Sequence, residues 1–238
     1  MSRRIEELDW RATDLGEIIL RRRREPVLDV DVYEVRLGEE FLMSSLFTVA
    51  EEELARMALA ALPGDGLDVL VGGLGLGYTA RTVLADARVR SLHVVEALPD
   101  VIGWQQRGLL PLSEQLTGDP RCTLVEADFF ALLTDQAQVA PGAPERFSAV
   151  VVDIDHTPDH LLHESSAGFY TVAGLGRVAD RLLPGGVFAL WSDAPPDDGF
   201  LAVLASAFPT ASAHVVPFAN HLTGGTSTNT VYVATRRG

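Results

Sequence analysis

Val69-Leu70-Val71-Gly72-Gly73-Leu74-Gly75-Leu76-Gly77 is the stretch on which the fold turns. An apolar run of strand character empties into a glycine-rich turn, and a helix is expected to begin at Tyr78. Glycines let a backbone approach a ligand closely and take conformations closed to other residues. A helix that follows such a turn presents free amide donors and the positive end of its dipole. The same pattern also serves as a plain strand-to-helix connection, so its meaning depends on what comes next.

The next strand, Leu92 to Val95, ends in Glu96, 19 residues beyond Gly77. An acid at that point can accept hydrogen bonds from both hydroxyls of a ribose. A dinucleotide fingerprint beginning at Gly73 needs a glycine at position 78, where Tyr78 stands. The spacing Gly73-x-Gly75-x-Gly77 suits the tighter turn around the amino-acid part of adenosylmethionine. No lysine follows the glycines as in a phosphate-binding loop, which disfavours a nucleoside triphosphate. The third strand, Cys122 to Val125, runs into Glu126-Ala127-Asp128. Asp128 can accept a bond from an adenine amino group, cap the following helix, or do both.

Two more apolar runs, Phe147 to Val152 and Val187 to Trp191, complete a series of strands separated by helical segments. Continuous apolar strands are expected where helices cover both faces of a parallel sheet. Ala213 to Pro217 and Thr230 to Ala234 have no helix between them and predict a closing antiparallel hairpin. The polar stretch Asn220-His221 and Gly224 to Asn229 joins them as a loop that could fold over a substrate. The expected architecture of residues 63–238 is therefore α/β: a Rossmann-like, seven-stranded fold of the adenosylmethionine-dependent methyltransferase kind.

Residues 1–62 have a different pattern and predict a small N-terminal antiparallel β-sheet and one helix. Gly16 to Leu20, Leu28 to Leu37 and Phe41 to Met43 are strand candidates. The alternation shifts phase between Val32 and Tyr33, which predicts a bulge or sharp bend there. Arg21 to Arg24 suggests a solvated edge that deters strand pairing, with a dimer interface or anionic ligand as the other reading. Thr48-Val49-Ala50-Glu51 has the spacing of a capping box. Leu54, Met57, Ala58 and Ala61 mark one helix face, and Pro63-Gly64-Asp65-Gly66 ends it.

The 238 residues are 47% hydrophobic and 22% charged, with a net charge of -14, which argues for a packed domain that repels nucleic acid and anionic membranes. The same charge suits a cationic substrate such as an amine. Cys122 is the one cysteine, so no intrachain disulfide can form, and its apolar setting argues against a catalytic thiol. The start leads into no apolar signal region, and no run is long enough to span a bilayer. A cytoplasmic location is expected, with no membrane or nucleic-acid partner.

With these strand ends in place, the chain resembles the spermidine synthase family of the adenosylmethionine-dependent transferase superfamily. The resemblance rests on Gly72 to Gly77, Val94 to Ile102, and Asp119-Pro120-Arg121 leading to Asp128. It continues through Ala149 to Asp153, Phe169-Tyr170, and Leu182 to Val187. It implies a donor, adenosylmethionine or its decarboxylated form, held by Gly72, Gly73, Leu74, Gly75 and Gly77. Glu96, Ala97, Asp128 and Phe129 would complete the nucleoside contacts. Asp153 matches the acid that deprotonates the acceptor amine. Asp155, His156 and Trp191 are the candidates for contact with a small-molecule amine acceptor, Trp191 being equally suited to the core. A homodimer through the N-terminal sheet is also implied.

The departures from that pattern bear on the chemistry. Where the family has an acid in the glycine loop to hold the donor's ammonium, this chain has Leu74. A second acid three residues after the base is replaced by His156. Residues 43 to 60 contain neither the tyrosine nor the histidine that contact the acceptor. These changes tip the balance from aminopropyl transfer toward methyl transfer. They also leave open a non-catalytic nucleoside-binding protein; a nicotinamide-dependent oxidoreductase is disfavoured by Tyr78. His156 and His160 have the spacing of a helical zinc pair within a cluster that includes Asp159, His163 and Glu164. Pro158 interrupts that helix, so no metal is expected.

Overall fold

A computed structural model describes residues 5–13, 16–161 and 164–238. Its main element is a seven-stranded sheet. Leu67–Gly72 (β5) lies at the centre, with Val89–Glu96 (β6) and Cys122–Glu126 (β7) to one side. Phe147–Val152 (β8) and Leu182–Ser192 (β9) lie to the other. These five strands are parallel, with Gly72 level with both Val95 and Val152. Thr210–Asn220 (β10) and Gly225–Thr235 (β11) form the closing antiparallel hairpin, β11 pairing with β9. Both hairpin strands are longer than the sequence pattern suggests, so the expected polar loop shrinks to a turn at residues 221–224.

Every residue of β5 and β8 is buried, as two-sided coverage demands. Alternate side chains feed two cores. Val69, Val71 and Val151 face one layer, with Val49–Ala60 (α1), Tyr78–Ala85 (α2), Pro99–Gln106 (α3) and Ser113–Thr117 (α4). Leu70, Val150 and Val152 face the other, with Phe129–Thr134 (α5), Val172–Asp180 (α6) and Asp198–Ala207 (α7). Fully burying such a side chain contributes roughly 1.5–3 kcal/mol. The sheet is therefore the rigid frame, and its carboxyl edge is where loops from β5, β6, β7, β8 and β9 meet.

Ahead of it, Ile5–Thr13 (β1), Gly16–Glu25 (β2), Val30–Leu37 (β3) and Glu40–Ser44 (β4) form a four-stranded antiparallel sheet in chain order. Ile18, Leu20 and Val35 bury one face into the first core. Strand β1 was not expected. Its Asp9 accepts a 2.8 Å bond from Trp104 Nε1 and an ion pair from Arg107, tying the small sheet to α3. Burial alone would raise Asp9, but the bonds from Arg107 and Trp104 hold its carboxyl below the usual value.

Three expectations for this region need correction. The phase shift at Val32 is not a bulge. Residues 26–29 form a turn, β3 starts at Val30, and its register with β2 runs unbroken from Val30 to Leu37. The arginine run is not an edge either, because β2 is an interior strand. Arg21 and Arg23 converge on the buried Glu34, Arg22 pairs with Glu6, and Arg24 pairs with Asp29 and Asp31. Opposite charges across paired strands are what let four arginines sit inside a sheet. Finally, Thr48 makes no capping bond to the backbone. Its hydroxyl lies 3.1 Å from Glu52 Oε1, and the Glu51 carboxyl is bonded by its own amide. Helix α1 itself packs on α2 and on β8, β9 and β11 of the large sheet, although the sequence grouped it with the small one.

Candidate functional site

The glycine loop lies between the ends of β5 and β8. Gly73 has φ of +92°, and a Cβ there would sit 2.0 Å from the carbonyl oxygen of Asp153, so only glycine fits. The Asp153 amide donates to Gly72 O at 2.9 Å, and the Gly73 amide donates to Val95 O at 2.9 Å. These bonds lock the loop to the two neighbouring strand ends. Gly72 owes its lack of side chain to the Phe129 ring, which a Cβ would approach to 2.7 Å. Gly77 caps α2, which begins at Tyr78 as the sequence indicates.

Glu96, at the end of β6, accepts from Leu74 N at 3.0 Å through Oε2 and from Leu98 N at 2.9 Å through Oε1. Burial pushes this carboxyl up, while the surrounding amides favour its charged form. The amides of Gly75 and Ala97 also bond this carboxyl, so a ribose hydroxyl would share its oxygens with them. Asp128 caps α5, and both of its amide bonds, from Phe130 and Ala131, fall on Oδ1. The expected structural role is thus present, and Oδ2 stays available to a ligand. Ala97 is exposed beside Glu96, and Phe129 is buried against the loop. Two acids at successive strand ends and a narrow glycine loop between them fit an adenosine-bearing donor. Glu96 would hold its ribose and Asp128 its base.

A cavity of about 410 Å³ opens beside the loop. Leu74, Gly75, Gly77, Asp153, His156 and Trp191 line it, so the structure brings together several residues the sequence singled out. Asp153 Oδ2 accepts a 2.7 Å bond from the Thr79 hydroxyl. Burial raises Asp153 to about 6 despite that bond. The lining also includes Glu51, which the sequence reading assigned to a capping box. Burial first, then the charge of Asp153, raises Glu51 to about 8. Its neighbours Glu52 and Glu53 pair with Arg56 and Arg81; Glu51 has no ion-pair partner among the described residues. A signal for it existed: Glu51 precedes the buried Leu54, Ala55 and Ala58 by three, four and seven residues, which puts it on the side of α1 that they mark.

Phe41, Met43, Phe47 and Phe218 also line the cavity and were likewise missed as site residues. Phe218 and Asn229 reach it because the closing hairpin is so long. Asp155 does not line the cavity. It is buried and accepts a 2.7 Å bond from the Tyr170 hydroxyl. His156 stands on the lining with Glu40 and Asp193 at 3.4 and 3.7 Å from its two ring nitrogens. Its ring lies 5.1 Å from that of His160, on a turn in which Thr157 Oγ1 accepts from the amides of Asp159 and His160. His163 lies outside the described residues. Among those described, no three metal-ligating side chains converge. Cys122 is half-buried, and burial pushes its thiol up to about 12.

No protein-family model matches the chain. Among solved structures, spermidine synthase from Thermotoga maritima superposes with a TM-score of 0.73 over 97% of this chain and 72% of its own, at 19% identity. A spermidine synthase in complex with the transition-state analogue AdoDATO gives the same TM-score and identity over 97% and 73%. The fold is spermidine synthase-like. Human methyltransferase-like protein 13 in complex with SAH matches at a TM-score of 0.58 and 19% identity, over 79% of this chain and 82% of its own. The α/β fold is thus similar to that of a methyltransferase-like protein as well. Among curated proteins, polyamine aminopropyltransferase 2 of Pseudomonas aeruginosa is 30% identical over 123 residues. That match spans 52% of this chain and 32% of the relative, so the chain matches about a third of the relative's length. No helix among the described residues is long and apolar enough to cross a membrane.

Proposed function

We propose that the protein is a transferase that moves an alkyl group from an adenosylmethionine-type donor to the nitrogen of an amine. The observation that carries this reading is the position of Asp153. Its backbone is clamped to the glycine loop and its carboxyl is on a cavity that no arginine or lysine among the described residues lines. The donor supplies an electrophilic carbon beside a sulfonium sulfur. Asp153 takes the proton of the acceptor ammonium, which otherwise has no lone pair to attack with. Thr79 holds the Asp153 carboxyl in place through its hydroxyl. Packing the acceptor against Asp153 and the loop supplies proximity.

Aminopropyl transfer is the version we put first, because a curated aminopropyltransferase and two spermidine synthases are among the proteins this chain resembles. Methyl transfer is the second reading, favoured by Leu74 itself, buried and uncharged on the cavity wall. Incubation with each donor and a panel of amines, followed by mass spectrometry, separates the two. Methylthioadenosine as the nucleoside product marks aminopropyl transfer, and adenosylhomocysteine marks methyl transfer. Absence of both with every amine contradicts the transferase reading.

A further inference from the structure

The cavity beside Asp153 is acidic at one place and apolar over much of the rest. Glu51 and Asp153 are the acids there, and no lysine or arginine among the described residues lines it to neutralise them. Phe41, Met43, Phe47, Leu74, Trp191 and Phe218 form the wall. The rings of Phe47 and Phe218 pack with centroids 5.6 Å apart, joining the segment before α1 to the closing hairpin. Asp193, the remaining acid on the lining, is 3.7 Å from His156 Nδ1, whose Nε2 is 3.4 Å from Glu40. That acid already has a basic neighbour.

We propose that the acceptor is a primary monoamine with an extended alkyl or aralkyl body, its ammonium held by Glu51 and Asp153 and its body laid along the Phe41–Phe218 wall. The proposal rests on the transferase reading and narrows it. An ammonium leaving water needs a compensating charge, and the two carboxyls provide it. Aromatic faces add attraction for the cation and apolar contact for the body. A second ammonium at the far end of a diamine would meet rings and methylenes over most of the wall, or compete with His156 for Asp193. In the transfer, a proton passes from the ammonium to Asp153, and the freed lone pair forms the new nitrogen–carbon bond. The donor's carbon–sulfur bond breaks with its electron pair on sulfur. The product leaves as a secondary ammonium, and Asp153 returns its proton to solvent.

The test is a length-matched pair of amines: 1-hexylamine and 1,6-diaminohexane, titrated into the full chain saturated with methylthioadenosine. The expected result is at least tenfold tighter binding of hexylamine. Affinity should also rise about fourfold per methylene from butylamine to hexylamine. Glu51→Gln should weaken hexylamine at least tenfold. Phe218→Ala should weaken hexylamine severalfold and leave methylamine unchanged, which separates contact with the body from general damage. Equal or tighter binding of the diamine, no binding of either amine, or indifference of hexylamine to both substitutions overturns the proposal. Turnover of a donor with the diamine but not with hexylamine keeps the transferase and rejects this acceptor class. Tight hexylamine binding without turnover of any donor supports the acceptor site and rejects the transferase.

Discussion

Glu51 and Asp153, 102 positions apart in the chain, line one cavity, and the charge of Asp153 adds to burial in raising Glu51 to about 8. Two carboxyls in such a setting titrate as a pair. Near neutral pH they carry about one proton between them, which leaves a single negative charge to meet a cation.

This pairing has a consequence for stability. Both acids are raised in the folded state, so the fold binds more protons than the unfolded chain between their ordinary values and about 8. Stability attributable to the pair is therefore full at low pH and falls as pH rises through that window. Glu51→Gln removes the larger shift. Its melting temperature should exceed that of the parent at pH 9, by a stability difference on the order of a few kcal/mol, and match it near pH 4.5. Equal melting curves at both values would show that Glu51 is not under strain.

Catalysis should depend on Asp153 in its ionised form. Turnover is expected to rise with pH through about 6, where burial places this group. Asp153→Asn should lower kcat by roughly 10²–10⁴-fold while leaving donor affinity near that of the parent. A variant that loses donor affinity in proportion to rate would place Asp153 in donor binding instead.

Gly73 offers a test of the loop. A methyl group there would collide with the Asp153 carbonyl oxygen at 2.0 Å and would also sit at a φ of +92°. Gly73→Ala should cost about 3 kcal/mol or more in urea unfolding, because the colliding atom is backbone and cannot swing aside. Gly108→Ala, at positive φ with open space around it, should cost about 1 kcal/mol.

Asp9 pins the small sheet to α3 through Trp104 and Arg107. Its carboxyl is held below the ordinary value, so its contribution is present at neutral pH and lost as pH falls below about 4. Asp9→Asn should destabilise by about 1–3 kcal/mol at pH 7, with the gap to the parent closing at pH 3. Chemical unfolding at the two pH values checks this.

Much of the fold was legible because its signals are local. The glycine loop, the acids at Glu96 and Asp128, and the apolar runs of β5 and β8 each state a backbone geometry or a burial pattern within a few residues. The parallel direction of the strands followed from those runs together with the helical segments between them. What escaped was set by distant partners. Strand β1 has only one half-buried stretch, so its role shows when Asp9 meets Trp104. The arginines of β2 resembled an edge until Glu34 of β3 lay beside them. Glu51 fits a capping box by spacing, yet Thr48 bonds Glu52, and the buried stripe of α1 carries Glu51 to Asp153. Phe218 reached the cavity through the length of β10, which the polar composition of the hairpin concealed.

Calorimetric titration with adenosylmethionine and with its decarboxylated form decides whether the glycine loop and Glu96 hold such a donor. Saturable one-to-one binding of at least one of them is expected, with loss of that binding in Glu96→Ala, whose carboxyl would hold the ribose. No heat of binding with either donor, from protein shown to be folded, would contradict a donor site there.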